Sequence, residues 1–347
     1  MADPVAPTAE SREQLLALIC GFRVSQGIYV ATKLGIPDLL AEGPRTTADL
    51  AEAAGAHAVS LGRLLLYLAS VGVLDKVGPD CFTLTPVAAA LRKDAPGSVR
   101  SSVLFQLNDS HWRPWGQLLH SVRTGETAFN HVHGTGLFDY LAQNPAVSAL
   151  FNQGMLGDSS AHAQLIARGY DFAGLKTIVD VGAGRGRLIA TILAEHPHLK
   201  GILFDQPHVM ADARLIVEET GVSNRCELVG GDFFKSVPAG GDVYVLRNII
   251  HDWQDDEAIA ILANCRRAMT ESARLILVER ELPDDTRAAP SVFLADLEML
   301  VNVGGRERTT EAYAGLFERS ELRLRRTIPL GSSKDAMGHY LVEAQPV

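Results

Sequence analysis

Over residues 11–100 apolar side chains recur at helical spacing in a stretch rich in Ala and Leu. The first pattern spans 11–40, bends at Gly35-Ile36-Pro37 and stops at Gly43-Pro44. Thr46-Thr47-Ala48-Asp49 has the chemistry of a helix cap. It predicts a short helix to Ala54, a turn at Gly55, and a longer helix over 59–71 ending near Gly72. Residues 73–84 read as a hairpin turning at Gly78-Pro79-Asp80. Helix, turn, helix and two-stranded wing form a winged-helix pattern. Residues 101–170 read as a helical connector, with aromatic and polar residues interleaved at 111–118 and 151–155 and a loop at Gly134-Thr135-Gly136.

From 175 the period changes. Apolar runs at 177–181, 201–205, 226–230, 242–247 and 274–279 are separated by stretches suited to crossover helices, and runs at 322–327 and 339–343 suit an antiparallel edge. The fold class is therefore α/β: a doubly wound, Rossmann-like sheet over 171–347 behind a mainly helical domain over 11–100. Ligands of such sheets sit outside the carboxyl ends of the strands.

The first of those ends is the most informative. Residues 179–187, VDVGAGRGR, leave a buried strand through a Gly-rich turn with glycines at 182, 184 and 186. The dinucleotide fingerprint G-x-G-x-x-G needs glycine at 187, where Arg187 stands, so a nicotinamide cofactor is disfavoured. Asp180 lies inside the same strand end. Asp205 closes the next strand, where a carboxylate accepts hydrogen bonds from two ribose hydroxyls. Asp232 and Phe233 are read as closing the third strand in GDFF, as a clamp for an adenine amino group and base face.

At 347 residues two domains are the better expectation, and the net charge of −9 opposes binding to a phosphate backbone. A winged helix invites a DNA-binding reading all the same. The would-be recognition helix SLGRLLLYLAS carries one basic residue, Arg63, and residues 1–100 hold nine Lys or Arg against ten Asp or Glu. The surplus apolar surface suits a subunit interface in a homodimer better. Cys20, Cys81, Cys226 and Cys265 form no C-x-x-C pair, so neither a disulfide framework nor a zinc site is expected. No run approaches the ~18 uninterrupted apolar residues of a membrane span, and residues 1–10 lack the pattern of a secretory signal. A cytoplasmic protein without membrane or nucleic-acid partners is the expectation.

The fourth strand runs into Arg247-Asn248-Ile249-Ile250-His251-Asp252-Trp253. His251 falls at the same sheet edge as the glycine turn, and an imidazole suits the removal of a hydroxyl proton. Glu279 ends the neighbouring strand. Glu307 follows a helix over 292–301 that can fold back on the site; its alternative is a solvated loop charge balancing Arg306 and Arg308. A carboxylate on one imidazole nitrogen makes the other a better base. Asp255, Asp256 and Glu257 open a helix and are read as complementing its dipole, with no metal expected. Trp112, Trp115 and Phe151 suit either a pocket roof or ordinary core.

VDVGAGRGR, FDQPHV, GDFF, LRNIIHDWQDDEA, LVERELPD and LEMLVNVGGRERT, in this order, resemble the S-adenosylmethionine-dependent O-methyltransferases of the plant caffeate and flavonoid type and their actinobacterial natural-product relatives. The resemblance implies a winged-helix dimerisation domain over 11–100, a connector over 101–170 contributing to the substrate pocket, and a cofactor-binding domain over 171–347. It implies that Ser159, Gly182, Gly184, Asp205, Asp232, Phe233, Arg247 and Trp253 hold the cofactor. It further implies that His251 is the base, flanked by Glu279 and Glu307. Trp112, Phe151, Met155, Asp158, Asp252, Met299 and Asn302 would meet a small aromatic acceptor. Arg247 replaces the usual Lys of that family, and Asp158 stands where plant relatives often have His. C-methylation or cofactor-assisted decarboxylation or hydroxylation on the same fold, and a ligand-sensing DNA-binding regulator, remain the alternatives.

Overall fold

The computed structural model describes residues 6–331 and 338–347, and for 155–161 only the backbone. The chain divides into two compact units, 1–112 with 144–157, and 113–143 with 158–347.

In the first unit the punctuation read from the sequence is where the elements end. Helix Ala9–Lys33 stops before Gly35, whose left-handed backbone (φ 71) starts Ile36–Leu39. Helix Thr47–Ala54 begins with a reciprocal capping box, the Thr46 hydroxyl accepting from the Asp49 amide while the Asp49 carboxylate accepts at Thr46. Helix Ala58–Ser70 follows. A wing is built from β1 (Arg45–Thr46), β2 (Leu74–Gly78) and β3 (Cys81–Leu84), ordered β1-β3-β2. Ile36, Leu40, Leu50, Leu65, Leu68 and Phe82 close the core between helices and wing.

Helix Ala9–Lys33 keeps Leu15, Leu16, Leu18, Ile19 and Phe22 each more than half exposed. By length and composition it is apolar enough to cross a membrane, a feature that searching for an uninterrupted apolar run passed over. An apolar stripe of this size on a helix buried only near its far end, at Gly27, Ala31 and Thr32, marks a contact surface.

The second unit is built on a seven-stranded sheet of β4 (Thr177–Val181), β5 (Lys200–Asp205), β6 (Cys226–Gly230), β7 (Val243–Arg247), β8 (Arg274–Arg280), β9 (Leu322–Pro329) and β10 (His339–Pro346). Its order is β6-β5-β4-β7-β8-β10-β9. The pairs from β6 to β8 are parallel, and β10 is antiparallel to both β8 and β9, which is the predicted antiparallel edge. The strand order reverses between β4 and β7, so the crevice for a ligand opens at their carboxyl ends. Helix Arg187–Glu195 buries Leu188, Ile189, Ile192 and Leu193 on one face of the sheet. Helices Asp255–Ala268 and Thr310–Arg319 cover the other face with Ile261, Leu262, Leu316 and Phe317.

Candidate active site

Beyond β4 the chain bends at Gly182, where φ is 72. A side chain there would be strained and its Cβ driven into Ile249 Cδ1, so only glycine lets the turn approach the end of β7 this closely. The Gly184 amide donates to Asp205 Oδ2 at 2.7 Å and the Gln206 amide to Asp205 Oδ1 at 2.6 Å, fixing this carboxylate at the tip of β5. Burial raises the Asp205 pKa and the two amides oppose the rise. Asp180, 1% exposed, leaves Oδ2 without a partner among the described residues; burial lifts it to about 7 against the pull of Arg247.

β6 ends at Gly230, so Asp232 and Phe233 lie in the loop beyond the strand rather than closing it. The Gly231 amide makes the last bond to β5, at the Asp205 carbonyl (2.9 Å), and the chain then turns, the Lys235 and Ser236 amides donating to the Asp232 carbonyl at 2.9 and 3.0 Å. Asp232 Oδ1 accepts the Phe234 amide at 2.9 Å, and Asn264 Nδ2 donates to the Phe233 carbonyl at 2.7 Å. Phe233 and Phe234 stand edge-on to Trp253 with centroids at 6.0 and 4.7 Å, and Phe138 stacks on it at 6.3 Å. The glycine turn, two carboxylates and this aromatic group thus surround one end of the crevice.

At the other end His251 is buried on a 3₁₀ turn, Ile250–Asp252. Its Nδ1 lies 3.1 Å from Glu307 Oε1 and 3.6 Å from Glu279 Oε2, and its Nε2 lies 3.5 Å from Asp252 Oδ1. Glu279 is fully buried and its Oε1 accepts the amides of Ile249 (3.0 Å) and Ile250 (2.8 Å). Glu307 is 1% exposed, which excludes the solvated loop charge, and Arg280 Nη1 reaches its Oε1 at 3.3 Å. Helix Pro290–Asn302 folds back as expected, Asp296 Oδ1 taking the Glu307 amide at 2.9 Å.

Burial alone would depress the His251 pKa, but the charges of Glu279, Asp252 and Glu307 and the hydrogen bond to Glu307 carry it up to about 10. Burial pushes Glu279 to about 7 and Asp252 to about 6, with His251 opposing in both. Glu307 moves the other way, since the His251 charge and hydrogen bond and Arg280 outweigh its burial. The two shifts run in the directions that favour an imidazolium against the Glu307 carboxylate.

Three residues that the sequence reading did not assign to the site fix this turn. Arg308, 2% exposed, donates to the carbonyls of Ile250 (3.0 Å) and Trp253 (2.8 Å) and to Asp255 Oδ1 (2.9 Å). Arg306 donates its amide to the His251 carbonyl at 2.8 Å and pairs through its side chain with Asp255. Gly305 lies so close that a Cβ would enter the His251 carbonyl oxygen. Asp255 therefore anchors the loop as well as opening its helix.

On helix Pro290–Asn302, Asn302, 2% exposed, donates through Nδ2 to Glu298 Oε1 at 2.9 Å, and Trp115 Nε1 donates to Glu298 Oε2 at 2.9 Å. Glu298 was not singled out from the sequence. The half-buried Met299 lies on the same helix. Trp112 and Phe151 belong to the first unit, where Phe151 packs edge-on against Phe105 with centroids 5.1 Å apart. The side chains of Met155, Asp158 and Ser159 lie outside the described residues.

Comparison with known proteins identifies the family. Residues 16–94 match the O-methyltransferase dimerisation domain and residues 115–322 the O-methyltransferase domain. The chain belongs to this O-methyltransferase family, as an S-adenosylmethionine-dependent enzyme that forms a homodimer. It is 44% identical over 333 residues to the phenazine O-methyltransferase PhzM of Lysobacter antibioticus, covering 96% of each chain. The structure of the mitomycin 7-O-methyltransferase MmcR superimposes with a TM-score of 0.93 at 40% identity, covering 98% of each chain. NcsB1, an O-methyltransferase of neocarzinostatin biosynthesis solved with S-adenosylmethionine and 2-hydroxy-5-methyl naphthoic acid, superimposes with a TM-score of 0.82 at 33% identity, covering 93% of this chain and 96% of that one.

Proposed function

We propose that this enzyme methylates a phenolic hydroxyl of a small aromatic natural product, in the cytoplasm, with His251 as the general base. The observation that carries this reading is the buried imidazole with Nδ1 on Glu307 and Glu279, at the same sheet edge as the glycine turn. The relatives named for phenazine and mitomycin hydroxyls support the acceptor class.

S-Adenosylmethionine, when bound, supplies a methyl group on a sulfonium and leaves as the neutral thioether S-adenosylhomocysteine. The residues fit such a group: Gly182 admits no side chain, Asp205 offers a fixed carboxylate to the ribose, and Asp180 has an unspent buried oxygen. Gly184 and Arg247 complete the strand tips around it. Asp232 and Phe233 would hold the adenine, and Trp253 stands edge-on to Phe233. Asp252, Met299 and Asn302 meet the acceptor.

The chain's own tasks are alignment and proton removal. Holding the acceptor oxygen in line is worth up to about 7–11 kcal/mol. A free phenol titrates near ~10, close to the His251 value of about 10, so the proton passes between groups of matched affinity. Glu307 and Glu279 hold the imidazolium that forms.

The rate should rise with pH along a limb above the ~6.5 of a free imidazole, and the limb should vanish in His251→Gln; an unchanged limb in that variant contradicts the assignment. Stability follows the same proton. The folded pKa lies above the unfolded one, so this contribution is full below pH ~6.5 and is lost as pH rises through about 10. The urea midpoint should fall across that window more in the wild type than in His251→Gln.

His251, Glu279 and Glu307 are also a donor set that can hold a metal, their ligand atoms lying within 4.8 Å of one another. A cation there would compete with Arg280 and with the imidazole proton, so the reaction is read as metal-free. Turnover should be unchanged by a strong chelator; inhibition relieved by magnesium contradicts this. The acceptor class is tested by mass spectrometry of aromatic hydroxyl compounds incubated with methyl-labelled S-adenosylmethionine. Label on carbon, or product loss without label, would replace O-methylation by the alternatives.

A further inference from the structure

Asn248 joins β7 to the turn that carries His251, and its φ of 52 lies in the left-handed region. Among the described residues it shares a positive φ with only one other non-glycine residue, Glu321. Such a conformation persists where its surroundings hold it. Here three consecutive amides are pinned to β8. Asn248 donates to the Val278 carbonyl at 3.0 Å, and Ile249 and Ile250 donate to Glu279.

The bend has a fourth tie, and it comes from outside the residues assigned to the reaction. Asn248 Oδ1 lies 3.1 Å from His339 Nε2, and a carboxamide oxygen only accepts, so Nε2 carries the proton. His339 is 2% exposed, opens β10 and stands opposite Arg280 in the ladder. Just before it, a Cβ at Gly338 would run into Val292 of helix Pro290–Asn302. The ring of His162 packs against it with centroids 4.6 Å apart. His339 is therefore held by a strand and a second ring, beside a glycine packed close to a helix, with its N–H aimed at the bend.

The bend has two outputs. It sets Ile249 against Gly182, and it delivers His251 to Glu307. We infer that His339 is a positioning residue: through Asn248 it holds the backbone that places the imidazole of His251 opposite the acceptor. The inference rests on the reading of His251 as the base, and its test separates the two.

Full-length His339→Ala, His339→Gln and Asn248→Gly are compared by hydrogen exchange over 247–253, by kcat and acceptor KM, and each in a His251→Gln background. In His339→Ala, exchange at Ile249 and Ile250 should rise about tenfold or more. Its kcat should fall about 10- to 100-fold with KM within about threefold. His339→Gln, whose amide can still donate, should restore kcat to within about fivefold of wild type. Asn248→Gly keeps the left-handed backbone but loses the side-chain tie, and it should reproduce His339→Ala; it also serves if His339→Ala fails to fold. With His251→Gln present, His339→Ala should cost nothing further. Unchanged exchange, unchanged kcat, or a His339→Gln as poor as His339→Ala overturns the inference. A full additional loss in the His251→Gln background overturns it too. If His251→Gln alone leaves kcat intact, the base assignment fails, while the exchange data still decide whether His339 holds the bend.

Discussion

His251→Ala should lower kcat by about 100- to 10,000-fold while S-adenosylmethionine binds with nearly unchanged affinity. The split follows from the layout of the crevice. The groups proposed for the cofactor lie on the glycine turn, the tips of β5 and β7 and the loop beyond β6, whereas the imidazole makes its close contacts with Glu307, Glu279 and Asp252. Removing it takes away proton acceptance and leaves alignment in place. It also takes the imidazole from buried Glu279 and leaves Glu307 with Arg280 alone, a change that destabilises the fold. His251→Gln, which keeps a hydrogen-bonding group, therefore belongs in the same experiment. Calorimetric titration with S-adenosylhomocysteine and a melting curve accompany the kinetics. Equal losses of turnover and cofactor affinity would contradict the assignment.

Gly305→Ala should destabilise the protein by about 3–5 kcal/mol and abolish turnover. The added carbon meets the His251 carbonyl oxygen and the backbone of Asp252 and Trp253, none of which can rotate away as a side-chain tip would. Relief requires parting the 303–308 loop from the 3₁₀ turn. That breaks the Arg306 amide bond to His251 and disturbs the Arg308 bonds to Ile250 and Trp253. Arg306→Ala is the control: its amide survives and its side chain is half exposed, so the loss should stay within about 1 kcal/mol. Chemical denaturation compares the two. A Gly305→Ala protein as stable as wild type would mean that the loop does not bear on the turn.

The fold was legible because its signals are local. Gly35 and Gly55 sit where the chain needs left-handed backbone, Thr46 caps its helix with Asp49, and short apolar runs fall on five parallel strands. The limits were local too. The apolar run 226–230 is β6, but reading GDFF as the strand's close placed Asp232 and Phe233 too early: after a last bond from Gly231 to Asp205 the chain turns over the Asp232 carbonyl, which a motif alone does not signal. His251, Glu279 and Glu307 do converge, and proximity to strand tips was enough to suggest it. Arg308 was missed because a charge in GGRER reads as solvent-facing; what buries it is a set of carbonyls on a turn some fifty residues earlier. His339 and Asn248 gave no sequence signal, since their tie joins positions 91 residues apart. Surplus apolar surface in the N-terminal domain was legible, and it is exposed on helix Ala9–Lys33, part of which lies in the 16–94 match to a dimerisation domain.

The clamp on the 3₁₀ turn bears on how such an enzyme can diversify. Carbonyls and amides of 248–253 are held by Val278, Glu279, Arg306 and Arg308, so the position of the imidazole is set by partners that need not touch the molecule being methylated. Glu298 and Asn302, by contrast, bond to each other and to Trp115. Selection for a new acceptor can therefore rewrite those side chains while basicity and aim stay as inherited, and a directed library confined to 298, 299 and 302 should yield altered preferences without dead catalysts.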